Sequence, residues 1–181
     1  ALTARGREAL ERAVGACGPG AVGIPGDVAD PDASHGAAAQ LADRWGGVDV
    51  VIFNAGTCEY VDVDAFDAAP FARQMTTNFL SMTHGVEAML PLLRQSPAPL
   101  LVGVSSLSAC APLTRAQAYG ASKAAAAYFL RGLRVDLRRA GIPVAVVYPG
   151  FVRTPLTQRN DFPMPFLLEA DDAAGRIVRA L

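Results

Sequence analysis

Residues 99–150 read PLLVGVSSLSACAPLTRAQAYGASKAAAAYFLRGLRVDLRRAGIPVAVVYPG, and this stretch decides the fold. It opens with PLLVGVSS (99–106), an apolar and uncharged run of strand length. It closes with IPVAVVYPG (142–150), rich in β-branched residues and stopped by Pro149-Gly150. Both have the composition of strands buried on two faces. Between them, residues 117–139 are rich in Ala and Leu, helical in pattern, and end near Gly141. Strand, helix, strand at this spacing needs a crossover connection, and a crossover lays the two strands parallel.

The same alternation runs outward to both ends. Residues 1–4 read as the tail of a strand, 7–17 as a helix stopped by Gly18-Pro19-Gly20, 21–25 as a strand and 33–45 as a helix. VDVVIF (48–53) is expected as a buried strand. Residues 67–95 are expected as one long helix, with Asp67 at its N-cap and Pro70 in its first turn. Phe79, Met82, Val86, Met89, Leu90 and Leu93 keep the 3.6 period within it. Residues 155–168 show no period and hold three prolines, and a final helix from about Asp171 puts Ala174, Ile177, Val178 and Leu181 on one face. No repeat or composition shift marks a second domain. The expectation is one α/β domain over residues 1–181, doubly wound around a mainly parallel sheet with helices on both faces. In such sheets ligands bind beyond the carboxyl ends of the strands.

Composition narrows the function classes. Charged residues make up 18% of the chain, below the roughly 25% of an average domain, and 16 basic against 17 acidic residues leave a formal charge of −1. With 51% apolar residues the chain is too apolar to be disordered. A charge so near zero argues against nucleic acid or an anionic membrane surface as a partner. No apolar run approaches the roughly 18 residues of a bilayer span. Cys17, Cys58 and Cys110 are odd in number and widely spaced. They form neither a disulfide framework nor a metal-ligand pattern, and a cytoplasmic setting is expected. His35 and His84 share no metal set, so no metal is expected. Fifteen of the basic residues are Arg and only Lys123 is Lys, which draws attention to its chemistry.

Polar residues follow each strand: Arg5, Asp27-Val28, Asn54-Ala55-Gly56, Ser105-Ser106, and Val152 to Thr154 beyond Pro149-Gly150. Tyr119 and Lys123 are four apart at the start of a helix and share one face. A free Tyr, with a pKa near 10, is protonated at neutral pH. A nearby ammonium favours the phenolate and is expected to pull that value toward neutrality, as suits acid–base work. Lys, a compact charge with three donors, could also grip neighbouring hydroxyls such as those of a ribose. An ordinary surface pair would give the same spacing. Ser106, 13 residues before Tyr119 at a strand end, could share a substrate oxygen with it, or could merely satisfy backbone where the strand stops.

Taken together, Asn54-Ala55-Gly56, Asn78, Ser106, Tyr119-Gly-Ala-Ser-Lys123 and Pro149-Gly150 resemble the short-chain dehydrogenase/reductase family in its compact branch, over essentially the whole chain. The resemblance implies a Rossmann-like sheet and an NAD(P)-dependent oxidoreductase. It makes Tyr119 the general acid/base and Lys123 the residue that lowers its pKa and binds the nicotinamide ribose. It makes Ser106 the residue that orients the substrate carbonyl or hydroxyl, and Asn78 the holder of a relay water. It places Asp27 and Val28 at the adenine, Asn54-Ala55-Gly56 along the adenosine, and Val152 and Thr154 at the carboxamide. Glycine at position 56 suits a backbone that must pass close to a ligand. Asp27 could also be a turn residue.

Arg5 stands where an acidic residue would bond the 2′-hydroxyl of NAD, and Arg there suits the 2′-phosphate of NADP. NADP(H) is therefore expected, with NAD as the other possibility, and Arg5 could instead belong to the helix start. The family's glycine-rich turn, which seats the cofactor pyrophosphate on a helix N-terminus, is not in this sequence. The resemblance thus implies that the sequence lacks the family's N-terminal strand and also a C-terminal one, and is part of a longer polypeptide. Residues 155–168 correspond to the family's substrate lid. Their apolar character suits an apolar substrate, packing on the core, or packing on a neighbouring subunit.

The first expectation is an enzyme moving hydride between NADP(H) and a carbonyl or alcohol carbon, as a homo-oligomer (dimer or tetramer). A catalytically silent relative that binds nucleotide or protein is the rival, and a lyase or isomerase using the same tyrosine is a third.

Overall fold

In the computed structural model, which describes residues 1–181, strands and helices alternate along the chain. The order is β1 (Leu2–Ala4), α1 (Arg7–Cys17), β2 (Gly23–Pro25), α2 (Pro31–Trp45), β3 (Val50–Phe53), α3 (Ala69–Met75), α4 (Ser81–Leu93), β4 (Leu100–Val104), α5 (Gln117–Asp136), β5 (Val144–Val147) and α6 (Ala170–Ala180). Local chemistry sets several boundaries. Asp30 caps α2 by accepting from the Asp32 N–H, Pro31 occupies its first turn, and Gly46 ends it at φ 75°. The Asp67 carboxylate accepts from the Ala69 N–H at 2.9 Å where α3 begins.

The expected long helix over 67–95 runs unbroken from Ala69 to Leu93, but not as α-helix throughout. A π-helical turn, Thr76–Leu80, separates α3 from α4, with Asn78 at its centre. The apolar period passes through the turn, so only the hydrogen-bond ladder betrays the inserted residue. Such turns are frequent at functional sites.

All strand pairings are parallel, in two sheets: β1–β2, and β3–β4–β5. The second sheet is packed flush by its helices. A Cβ on Gly103 of β4 would lie 2.2 Å from Leu130 of α5, and one on Gly85 of α4 would lie 2.4 Å from the Phe53 ring. The sheets do not join, and no strand of this chain lies between β1 and β3. The expectation of a buried strand over 48–53 needs correction on that account. Val51 and Phe53 pack on the core, but Val50 and Ile52 are 50% and 52% exposed, because no element covers that face of β3.

Helix α4 joins the two halves. Its Met82, Val86 and Leu93 enter the core under β3–β5 with Leu101, Leu130 and Ile142. Its Ala88 and Leu92 enter the second core with Ile24, Ala37 and Leu41. Helix α6 forms where expected, but none of its residues is buried, and Val178 stays exposed. No helix is long and apolar enough to cross a membrane.

Candidate active site

The carboxyl end of β4 and the start of α5 meet in a small set of directed bonds. Ser105, buried just past the strand, donates to the Lys123 carbonyl at 2.9 Å and ties helix to strand. Ser106 continues in extended conformation, and its oxygen accepts from the Ser108 N–H at 3.2 Å. One lone pair of Ser106 is thus committed to the backbone, and its O–H is left free to donate. Lys123 is only 3% exposed, yet its ammonium has no carboxylate partner. It donates to the Val104 carbonyl at 2.9 Å and lies 6.0 Å from the centre of the Tyr119 ring. Gly56 closes the far side, where a Cβ would come within 3.1 Å of Lys123 Nζ and 3.3 Å of Asn78 Oδ1.

Asn78, also buried, has both N–H donors engaged and one bond to its oxygen. Its Oδ1 accepts from the Thr57 N–H at 2.7 Å, and its Nδ2 donates to the Thr57 carbonyl at 2.9 Å and to Ser122 Oγ at 2.8 Å. Ser122 in turn donates to the Tyr119 carbonyl at 2.8 Å. A side chain so occupied has no N–H left to donate, while its Oδ1 keeps one lone pair.

Electrostatics here also differ from expectation. Burial is the largest influence on Tyr119 and raises its phenol above the ordinary value, while the facing Ser106 hydroxyl pulls it the other way without closing a full hydrogen bond. Burial pushes Lys123 down to about 8. The expected depression of the phenol by the ammonium is therefore absent in this arrangement. Both groups sit in a low-dielectric setting that disfavours either charge, and the ammonium spends its hydrogen bond on the Val104 carbonyl, not on the phenol.

The remaining candidates fall in three further places. Arg5 and Asp27 meet beyond β1 and β2, with Arg5 Nη1 3.7 Å from Asp27 Oδ2, both on the surface. Asp27 also accepts from the Ala29 N–H at 3.0 Å, as a turn residue does, with Val28 inside that turn. Asn54 and Ala55 are exposed directly after β3. Val152 and Thr154 lie at the foot of the 155–168 segment. The Thr154 N–H donates to Thr157 Oγ1 at 3.0 Å, and Thr157 Oγ1 donates to the Val152 carbonyl at 2.6 Å.

The ends of that segment are pinned together. Arg153 N–H donates to the Leu168 carbonyl at 2.8 Å, and Leu168 N–H to the Phe151 carbonyl at 3.0 Å. Phe162 meets Tyr60 edge-on, with centroids 6.3 Å apart, and Phe151 at 6.1 Å. Asn160 bonds the Tyr60 hydroxyl, and Asp161 pairs with Arg115, whose guanidinium lies 5.1 Å over the Tyr60 ring. The 155–168 segment thus packs, through Asn160, Asp161 and Phe162, on Tyr60 and Arg115 of this chain. Sequence reasoning missed Ser122 and Gln74. Ser122 stands openly inside Tyr-Gly-Ala-Ser-Lys; Gln74 leaves no signal beyond being polar.

Comparison with known proteins bears on this geometry. A family profile described as short chain dehydrogenase matches residues 1–163. The chain belongs to the short-chain dehydrogenase family. Among the relatives of this short-chain dehydrogenase is an uncharacterized oxidoreductase of Myxococcus xanthus, 39% identical over 147 residues, covering 81% of this chain and 58% of that protein. The 17-beta-hydroxysteroid dehydrogenase type 2 of Homo sapiens is 35% identical over 161 residues, 86% of this chain and 40% of its own length. The serine 3-dehydrogenase of Agrobacterium fabrum is 32% identical over 159 residues, 86% and 62% respectively. The chain spans less than two thirds of the length of each of these relatives. An NADPH-bound carbonyl reductase from chicken fatty liver superposes with a TM-score of 0.88 over 99% of this chain and 78% of that one, at 24% identity. That likeness is one of fold, and it shows the mainly parallel Rossmann-like architecture.

Proposed function

We propose that this short-chain dehydrogenase moves hydride between NADP(H) and a carbonyl or alcohol carbon, with Tyr119 as general acid/base. One observation carries the reading: Lys123, the only lysine, is buried with no counter-charge and spends a single bond on Val104. Burying an ammonium is costly, and two of its three N–H donors remain for a ligand. The space beside it is kept clear by the bare Gly56. A ribose diol fits donors so placed, and the chemistry of the set suits a dinucleotide.

NADP(H), when bound, would supply the hydride chemistry. The chain's own residues then handle position and the proton. The raised phenol of Tyr119 is protonated at neutral pH and so holds the proton that reduction of a carbonyl requires. Ser106 directs its free O–H at the same substrate oxygen. Lys123, at about 8, still carries its charge at pH 7 and favours the phenolate left behind once a substrate has drawn the two closer. Asn78 holds the loop after β3 against the π turn, and a relay water would rest on the main chain of that turn. Val152 and Thr154 would meet the carboxamide, Asp27 and Val28 the adenine, and Asn54-Ala55-Gly56 the adenosine. Arg5 would meet the 2′-phosphate, its exposed guanidinium only loosely held by Asp27.

Phe162, Tyr60 and Cys58 near the phenol support a substrate with an apolar body. Tyr128 and Val135, seven apart and exposed on α5, support pairing with a second copy through α4 and α5. Three unpaired thiols support a reducing, cytoplasmic setting. The test is a panel of carbonyls and alcohols with full-length protein and each nicotinamide cofactor, followed at the nicotinamide absorbance. Turnover is expected, and Tyr119→Phe is expected to lower it by roughly 10²–10⁴-fold with the melting temperature nearly unchanged. Substantial residual turnover in that variant refutes the assignment.

A further inference from the structure

Residues 57–60 belong to no strand, yet their backbone is held as a strand would be. Thr57 exchanges both main-chain bonds with the Asn78 amide, at 2.7 and 2.9 Å. Two residues on, the Glu59 N–H donates to Gln74 Oε1 at 3.1 Å, and Gln74 Nε2 donates to the Glu59 carbonyl at 3.1 Å. Gln74 and Asn78 are four apart. Four helical residues rise about 6 Å and two strand residues about 6.7 Å, so two amides on one helix face can stand in for a neighbouring strand. Gln74 is 0% exposed, and it spends both ends of its amide on one residue of the loop. Arg73 adds a fork to the Glu59 carboxylate, with bonds of 2.7 to 3.1 Å.

In an extended segment Cys58 and Tyr60 share the face opposite to Thr57 and Glu59. Cys58 and Tyr60 are both half-buried there, and each contributes to raising the Tyr119 phenol. Tyr60 then continues to the 155–168 segment through Asn160 and Phe162. A buried amide serves a helix core less well than a leucine would, unless its bonds hold something in place.

We infer that Gln74 is a positioning residue: by clamping Glu59 to α3 it sets the wall formed by Cys58 and Tyr60, against which the substrate rests. The substrate part of this inference rests on the function proposed above; the clamp itself does not.

The test is run in full-length protein in which every cysteine except Cys58 is replaced by serine, Cys17 and Cys110 among them, so that Cys58 is the one thiol read. In this parent, Cys58 is expected to react slowly with an aromatic disulfide reagent, since burial pushes its thiol up. Gln74→Leu is expected to raise the labelling rate about tenfold by freeing the loop, and to raise KM while kcat is largely kept. Gln74→Glu, which keeps the acceptor for the Glu59 N–H but loses the donor, is expected to fall between, and it decides the matter if the Leu variant does not fold. Leu137→Ala, a core deletion at the far end of α5, is expected to lower stability without changing the labelling rate. Labelling unchanged in the Gln74 variants, or raised equally in Leu137→Ala, overturns the clamp. Faster labelling with KM unmoved overturns the substrate wall. A parent without turnover on any substrate refutes the oxidoreductase reading alone, and the labelling rates still decide the clamp.

Discussion

Lys123→Met is expected to make the ligand-free protein more stable at neutral pH, although it removes the ammonium the site is built around. The magnitude follows from burial. A lysine pKa moved from 10.5 to about 8 by loss of water corresponds to about 3 kcal/mol of cost in the charged state. Methionine fills similar volume without that cost. It also forfeits the bond to the Val104 carbonyl, which offsets about 1–2 kcal/mol, leaving a net gain of about 1–2 kcal/mol at pH 7. The sign with pH is fixed. Between about 8 and 10.5 the unfolded chain binds a proton that the folded chain has released, so wild-type stability rises through this window. The cost is fully present below about pH 8, and the variant's advantage should vanish as pH approaches 10.5. Urea unfolding of both proteins at pH 7, 8.5 and 10 measures it, and the difference between them cancels the other titrating groups. A variant less stable than wild type at pH 7, or a difference that does not shrink with pH, refutes the reasoning.

Arg5→Ala should lower kcat/KM for NADPH by roughly 10-fold or more, the scale of one lost charge-assisted phosphate bond, while leaving NADH nearly untouched; equal losses with both cofactors would remove Arg5 from the 2′-phosphate. Gly103→Ala should cost about 1–3 kcal/mol by overpacking, because its Cβ would lie 2.2 Å from Leu130. Thermal unfolding checks it, and a neutral result would mean that α5 can slide on the sheet.

Much of this arrangement is legible in the chain because it depends on near neighbours. The helix at 7–17 and its glycine stop are local, and so is the four-residue step from Tyr119 to Lys123, which any helix turns into a shared face. What escaped reading depends on groups distant in sequence. Val50 has the composition of a buried strand residue, but burial needs a covering element that composition does not supply. The lysine's lowered pKa follows from its burial, which only the folded surroundings reveal. The π turn leaves the apolar period intact, so it is silent until the ladder is seen. Gln74 carries no sequence signal beyond being polar; it becomes informative only against Glu59, 15 residues earlier.

Helix α4 serves two interiors at once, and this has a thermodynamic consequence. With Met82 and Leu93 in one and Ala88 and Leu92 in the other, neither sheet can melt while its companion stays ordered unless this shared spine gives up half its packing. The two halves are thus bound into a single cooperative unit. Tightness gained where Arg5 lies is felt, as added resistance to opening, beneath the phenol on the other side.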